Sequence, residues 1–291
     1  MSVTSSDAPS LERLTPSEAL RSATEYLERH GVESPGRTAE LLLMHALNSS
    51  RADVYVRRDR LNRSEALRFT DALERRTAGV PLQYVTRRQQ FMDLDLQTAP
   101  GVFIPRPETE TLVEAALEVL IGKDEPLVVD VGTGTGAIAL AIKRHAARAS
   151  VHATDASEAA VELARSNARR LGLDVAVAKG DLLEPLPPEL SGRIHLIVSN
   201  PPYVTLEEFE SLPADVKAEP REALLGGTEF HRRLLDAATE WLAPGGWLVT
   251  EIGATQGAEV VDLFTRTLTS VNVLQDLPGR DRVVRGSKPL G

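Results

Sequence analysis

From residue 127 onward, apolar strand-like runs alternate with helical segments, and this alternation limits the fold more than any other property of the chain. Leu127–Val131, Val151–Thr154, Val175–Lys179, Ile194–Ser199 and Trp247–Ile252 read as strands. The stretches near 136–147, 157–171, 229–242 and 256–268 carry helical periodicity. Strands near Val271–Leu277 and Arg282–Arg285 close the chain. Strands separated by helices cannot pair as hairpins. They imply a largely parallel α/β sheet covered on both faces.

The first 80 or so residues have a different texture. Thr15-Pro16-Ser17-Glu18 supplies an N-cap, a proline at the first helical position and a capping-box glutamate. Ala19, Leu20, Ala23, Tyr26 and Leu27 follow at helical spacing. His30-Gly31 stops that helix, Ser34-Pro35 opens a second, and Asn62 to Glu65 caps a third that runs to Gly79. A small helical domain over 1–80 is predicted, followed by a linker over 81–105 and an α/β domain over 106–291. In the linker Met92, Leu94 and Leu96 alternate with polar residues, Pro100-Gly101 makes a turn and Val102-Phe103-Ile104 reads as a return strand, so a β-hairpin is expected there. The first ten residues are expected to be disordered.

Composition narrows the chemistry. The 291 residues contain no cysteine, which excludes a disulfide scaffold, a thiolate metal site and a cysteine nucleophile. The polar start and the absence of a long apolar run predict neither a signal peptide nor a membrane span, and therefore a cytoplasmic location. The net charge of −9 is unevenly spread: residues 51–88 are rich in arginine, whereas residues 91–291 are strongly acidic. An acidic domain is poorly suited to a nucleic-acid backbone. The arginine-rich stretch is either a solvated helical face or a surface for an acidic protein partner. Scattered acids give no metal-ligand spacing.

Asp130-Val131-Gly132-Thr133-Gly134-Thr135-Gly136 follows a strand and opens a helix. Glycines there permit positive φ and close approach of a ligand to the backbone. Asp155 ends the next strand, where an acid commonly binds both hydroxyls of an adenosine ribose. Spacing alone leaves a dinucleotide and S-adenosylmethionine both open. Asp181 and Leu182 follow the third strand, where they either meet an adenine ring or simply cap the next segment. Ala137 stands where a phosphate-loop lysine would be needed, which disfavours an ATPase.

Ser199-Asn200-Pro201-Pro202-Tyr203 ends the fourth strand and is the most specific motif of the chain. Two prolines fix φ and donate no backbone hydrogen bonds, so the turn is rigid. The Asn200 side-chain carbonyl and the Pro201 backbone carbonyl can hold the two protons of a planar amino group, with Tyr203 against its face. Such a nitrogen is a poor nucleophile because its lone pair is delocalised. Two acceptors orient it toward an electrophilic methyl, a task of positioning and electrostatics that needs no metal or covalent intermediate.

This turn together with Gly132–Gly136 resembles the class I S-adenosylmethionine-dependent methyltransferases that act on planar amino nitrogens. The segment Gly101-Val102-Phe103-Ile104-Pro105-Arg106-Pro107-Glu108-Thr109-Glu110 is similar to the peptide chain release factor N5-glutamine methyltransferase family (PrmC, also called HemK). Pro81-Leu82-Gln83-Tyr84 and Asp276-Leu277-Pro278-Gly279-Arg280-Asp281-Arg282 extend the resemblance, which runs from about residue 15 to the end. It implies a Rossmann-like, seven-stranded, mostly parallel sheet with a helical N-terminal domain and a hairpin linker. It also implies transfer of a methyl group from S-adenosylmethionine to the glutamine of the Gly-Gly-Gln loop of bacterial class I release factors, leaving S-adenosylhomocysteine. By position, Gly132, Thr133, Gly134, Thr135 and Gly136 would surround the methionine part of the cofactor. Asp155 would take the ribose and Asp181 with Leu182 the adenine. Asn200, Pro201, Pro202 and Tyr203 would take the amide, with Asn200 also at the cofactor and Phe103 flanking the glutamine. Asn200, Pro201 and Tyr203 would be catalytic. No metal, stable nucleic acid or membrane is implied. Thr86-Arg87-Arg88 and Met92-Asp93 depart from commoner family residues, both in the linker.

Arg106 and Glu108 through Glu110 match the family segment without individual roles, and Glu251 is open between substrate contact and local backbone bonding. His45 and His152 read as core or boundary residues and His231 as a surface residue. Three rival readings are a methyltransferase for a glutamine of a large-subunit ribosomal protein, an N6-adenine DNA methyltransferase, and a non-catalytic binding module.

Overall fold

The computed structural model describes residues 8, 9 and 11–290. They form two compact units: Met1–Arg87 with Pro213–Ala218, and Arg88–Leu212 with Glu219–Gly291. The disorder expected for the first ten residues falls largely outside the described residues; Ala8 packs against the core of the helical unit.

In the helical unit, α1 (Pro16–Arg29) begins with the capping box: Thr15 N–H donates to Glu18 at 2.8 Å, and Glu18 N–H donates to the Thr15 hydroxyl at 3.4 Å. α2 (Pro35–Leu47) follows a left-handed Ser34 with no side-chain cap. α3 (Arg51–Val56) carries a second capping box, Ser50 with Asp53, and α4 (Arg63–Thr77) a third, Asn62 with Glu65. α5 (Leu82–Thr86) completes the run. Leu27, Leu42, Leu43, Phe69 and Leu73 are fully buried where these helices face one another. Periodicity alone missed α3 and α5, which are only six and five residues long.

The second unit opens with a hairpin of β1 (Arg88–Phe91) and β2 (Leu94–Gln97), paired Phe91 to Leu94 around a two-residue turn in which Met92 has φ 50°. The alternating strand is therefore real, but its partner precedes it. Val102-Phe103-Ile104 forms no strand: Pro100, Pro105 and Pro107 lack N–H donors, and the Ile104 N–H is given instead to the Glu219 carboxylate at 2.9 Å. A single 3₁₀ turn over Pro107–Thr109 leads into α6 (Glu110–Leu120), and Glu110 accepts the Met92 N–H at 2.7 Å.

The sheet then builds from β3 (Leu127–Val131), α7 (Ala137–His145), β4 (Ser150–Asp155), α8 (Glu158–Leu171), β5 (Ala176–Lys179) and β6 (Ile194–Ser199). It continues, after α9 (Leu206–Ser211) and α10 (Ala214–Lys217, part of the helical unit), through α11 (Glu229–Trp241), β7 (Leu242–Glu251), α12 (Gly257–Thr265), β8 (Thr269–Gln275) and β9 (Asp281–Ser287). The strand order is β5-β4-β3-β6-β7-β9-β8; β3 to β7 are parallel and β9 runs against both neighbours. This is the seven-stranded, mostly parallel Rossmann-like sheet expected. Side chains alternate between its faces: Val128, Leu196 and Val198 pack with α6 and α7, while Val129, Val131 and Ile197 pack with α11 and α12. Among the described residues no helix is long and apolar enough to cross a membrane.

The order reverses at β3, which is followed in the chain by β4 on one side but neighboured by β6 on the other. Such a switch point opens a crevice at the carboxyl ends of the strands. Val131, Asp155, Ser199 and Glu251, the last residues of β3, β4, β6 and β7, end at that rim.

Candidate active site

A cavity of about 240 Å³ lies at this rim. Its first wall is the glycine loop. Gly132 and Gly134 have φ of 74° and 56°, and a Cβ on either would meet no atom within 4 Å, so the backbone is bare toward the cavity. Gly132 and Thr133 donate their N–H groups to Thr154 O at 2.9 and 3.0 Å. Thr135 also lines the cavity, and its hydroxyl oxygen is buried with no hydrogen-bond partner. Gly136 is different. It does not line the cavity; it heads α7 at φ 85°, and a Cβ there would lie 3.0 Å from Leu140 and 3.3 Å from Ala164. Its place in the motif fits the close packing of α7 on α8.

Sequence reasoning gave no role to Asp130, which organises the loop. It is fully buried, its Oδ2 accepts from the Thr133 hydroxyl at 2.6 Å and from Ala139 N–H at 3.1 Å, and burial pushes its carboxyl up to about 7. An acid closing the strand two residues before Gly132, with threonine three positions on, was the available signal.

Asp155 lines the next wall. Its carboxylate accepts from Gly134 N–H at 2.8 Å and Ser157 N–H at 2.9 Å. Burial raises its pKa, and these two backbone donors partly offset the rise. A carboxylate has about four acceptor positions, so capacity remains for two hydroxyls. Asp181 and Leu182 line the far end. Asp181 is half exposed and ion-paired with Arg233. Leu182 adopts φ 47°, and its carbonyl accepts the Thr154 hydroxyl at 2.7 Å, so the loop is held against β4.

The Asn200-Pro201-Pro202-Tyr203 turn faces the glycine loop, and all four residues line the cavity. Asn200 Nδ2 donates to the Thr109 hydroxyl at 3.1 Å. Asn200 Oδ1 receives no hydrogen bond among the described residues and remains available as an acceptor. The Tyr203 hydroxyl donates to Glu251 Oε1 at 3.1 Å, and burial drives its pKa well above the ordinary value. Gln256 Nε2 donates to Tyr203 O at 2.9 Å. The turn is braced from behind by the segment that follows α10: Val204 N–H donates to Leu224 O, and Gly226 N–H donates to Val204 O.

Phe103 also lines the cavity. The Arg106 guanidinium lies over its ring, 5.1 Å from the centroid, and is ion-paired with Glu219, whose side chain is almost fully buried. Arg106 therefore holds the aromatic residue in place. His231 is fully buried and its ring Nε2 meets Glu251 O at 2.9 Å, which corrects the surface reading; His45 is exposed rather than at a core boundary.

Comparison with known proteins agrees with this geometry. The family described as PrmC N-terminal domain matches residues 18–86, and the methyltransferase small domain family matches residues 93–217. A release factor glutamine methyltransferase of Moorella thermoacetica is 44% identical over 277 residues, covering 92% of this chain and 97% of its own. One from Koribacter versatilis is 40% identical over 281 residues, covering 95% and 99%. Among solved structures, a methyltransferase from Pyrococcus furiosus superposes with a TM-score of 0.52 at 20% identity, covering 68% of this chain and 90% of its own, a likeness of fold. With such identity along nearly its whole length, the chain belongs to the release factor glutamine methyltransferase family.

Proposed function

We propose that the chain methylates the side-chain amide nitrogen (N5) of the glutamine in the Gly-Gly-Gln loop of bacterial class I release factors, in the cytoplasm and without a stable nucleic-acid, membrane or metal partner. The observation that carries this reading is a free Asn200 Oδ1 in the same cavity as the glycine loop and Asp155. A rigid acceptor and a nucleoside-binding wall are what transfer to a planar amide requires.

The residues present fit S-adenosylmethionine. Gly132 and Gly134 expose backbone, Thr135 offers a buried hydroxyl without a partner, and Asp155 keeps acceptor capacity. Asp181 and Leu182 would flank the adenine. When bound, the cofactor supplies an electrophilic methyl on sulfonium.

The chain's own groups do the rest. Asn200 Oδ1 and the Pro201 carbonyl accept the two amide protons, which fixes the nitrogen and draws electron density onto it. Tyr203 lies against the face of the amide and Phe103 flanks the incoming side chain. Holding the nitrogen in line converts an encounter into a positioned reaction, the main source of acceleration where no covalent step is needed. Once the nitrogen has gained the methyl it is cationic and sheds a proton readily.

Incubation of purified release factor with enzyme and methyl-labelled cofactor, followed by mass spectrometry, tests the proposal. Label on the glutamine of the Gly-Gly-Gln loop is the expected result. No incorporation, or incorporation that survives Gln→Ala in that loop, refutes it.

A further inference from the structure

We infer that Thr109 and Glu251 are positioning residues that decide which end of the Asn200 side-chain amide faces the reacting nitrogen. The inference rests on the function proposed above and adds to it the device that keeps Asn200 in its acceptor orientation.

The two ends of an asparagine amide have nearly the same shape, so packing does not choose between them. Thr109 Oγ1, 3.1 Å from Asn200 Nδ2, does not choose alone either, because a hydroxyl can accept from NH₂ or donate to C=O. The choice falls to whatever takes the single Thr109 proton. Glu251 stands beside it at the end of β7, 1% exposed. Its Oε1 accepts the Tyr203 hydroxyl. Its Oε2 is buried with no hydrogen-bond partner among the described residues, and the nearby Thr109 hydroxyl lowers the pKa of the carboxyl. A buried acceptor left open is costly, and a donor from Thr109 relieves that cost. With its proton committed to Glu251, Thr109 presents only lone pairs to Asn200. The amide must then turn its NH₂ to Thr109 and its Oδ1 to the cavity.

Protonation of Glu251 reverses the logic. A neutral carboxyl carries its own proton, can donate it to Thr109 Oγ1, and frees the Thr109 proton for Asn200 Oδ1. The cavity would then be faced by NH₂, which repels the amide protons it should accept. The groups around Glu251 come from several elements. Burial raises its pKa, to about 7; Thr109, Tyr203 and Arg282 lower it, and Glu108 raises it. Arg282, on β9, is itself paired with Asp276, and the His231 ring from α11 meets the Glu251 backbone carbonyl rather than its carboxyl. Turnover should therefore rise as pH passes through about 7.

The test measures kcat, KM for release factor and cofactor affinity across pH for the full-length enzyme. Wild-type kcat should climb through about pH 7, and the limb should vanish in Glu251→Gln, which does not titrate. Thr109→Val keeps shape but loses the hydroxyl; its kcat should fall by about tenfold or more, with cofactor affinity and KM little changed. Thr109→Ser restores the hydroxyl and should restore both rate and limb, which a purely structural role for the threonine methyl would not predict. A pH-independent wild-type kcat, a limb that persists in Glu251→Gln, or unchanged turnover in Thr109→Val overturns the inference. Failure of the wild type to label release factor would instead refute the parent function.

Discussion

Gly226→Ala is the sharpest steric test of the acceptor turn. An ideal Cβ on Gly226 would lie 2.1 Å from the Pro202 carbonyl oxygen. A carbon meets a carbonyl oxygen comfortably at about 3.3 Å, so about 1.2 Å must be found. Neither neighbour is a flexible side-chain tip. Val204 N–H to Leu224 O at 2.8 Å and Gly226 N–H to Val204 O at 3.2 Å tie the two backbones together, so the displacement passes into Pro201 and Pro202, where the proposed acceptor for the substrate amide sits. A misplacement of about 1 Å costs on the order of a hundredfold in rate, or about 2.7 kcal/mol of activation free energy. Overpacking would also cost about 1–3 kcal/mol of stability. Gly227→Ala is the matched control: φ is 56° there but no atom lies within 4 Å of a Cβ, so backbone strain is introduced without a push on Pro202. The assay is labelled-methyl transfer at saturating release factor, with cofactor affinity by calorimetry and thermal unfolding alongside. Gly226→Ala should lose turnover while still binding cofactor; Gly227→Ala should lose stability but keep turnover. Equal turnover in the two variants would refute the steric argument.

Asn200→Ala should lower kcat far more than cofactor affinity, because it removes the acceptor proposed for the substrate while leaving Asp155 and the glycine loop intact; single-turnover and binding measurements separate the two effects. Asp155→Ala should do the reverse, weakening cofactor binding by about ten- to a hundredfold, read by calorimetry. Asp130 titrates at about 7 in the folded state because of burial, above its ordinary 3.8. The stability it contributes is full below about pH 4 and is lost as pH rises through about 7, so thermal unfolding of the wild type should fall over that interval, and less steeply in Asp130→Asn. In the arginine-rich stretch, Arg51, Arg57 and Arg76 are paired with Glu40, Glu65 and Asp215, whereas exposed Arg58 and Arg63 carry no ion pair among the described residues. Charge reversal at Arg58 and Arg63 should raise KM for release factor in steady-state assays and leave cofactor affinity unchanged, if that face docks the substrate.

The sheet was legible because β3 and β6 are largely buried on both faces and read as apolar runs, and α1 and α4 of the first unit because each announces itself with a capping box. The candidate site's cavity lining was legible where one short motif carries it, as at Gly132–Gly134 and Asn200–Tyr203. What escaped depends on partners distant in sequence. Arg106 has a meaning only through Glu219, which sits in a stretch with no periodicity, and Glu219 also takes the Ile104 N–H that the expected return strand would have needed. Glu251 was ambiguous because its neighbours Thr109 and Tyr203 lie on two other segments. His231 looked exposed beside charged residues, yet one turn of α11 places it against the end of β7. Gly136 looked like its neighbours in the motif and differs only in what its missing Cβ makes room for.

The helical unit is discontinuous in the chain, taking Pro213–Ala218 as well as the first 87 residues. Arg76 spans that gap: its guanidinium pairs with Asp215 at 3.0 Å, and its Nε is already buried without a partner. On the ribosome this unit cannot close its last contacts when its own helices emerge; it must wait until the chain has been made past the Asn200–Tyr203 turn. A fragment ending at Arg87 would leave the Arg76 guanidinium without its carboxylate. The two units are thus sewn together by chain order, and neither is a module that a single cut can release intact.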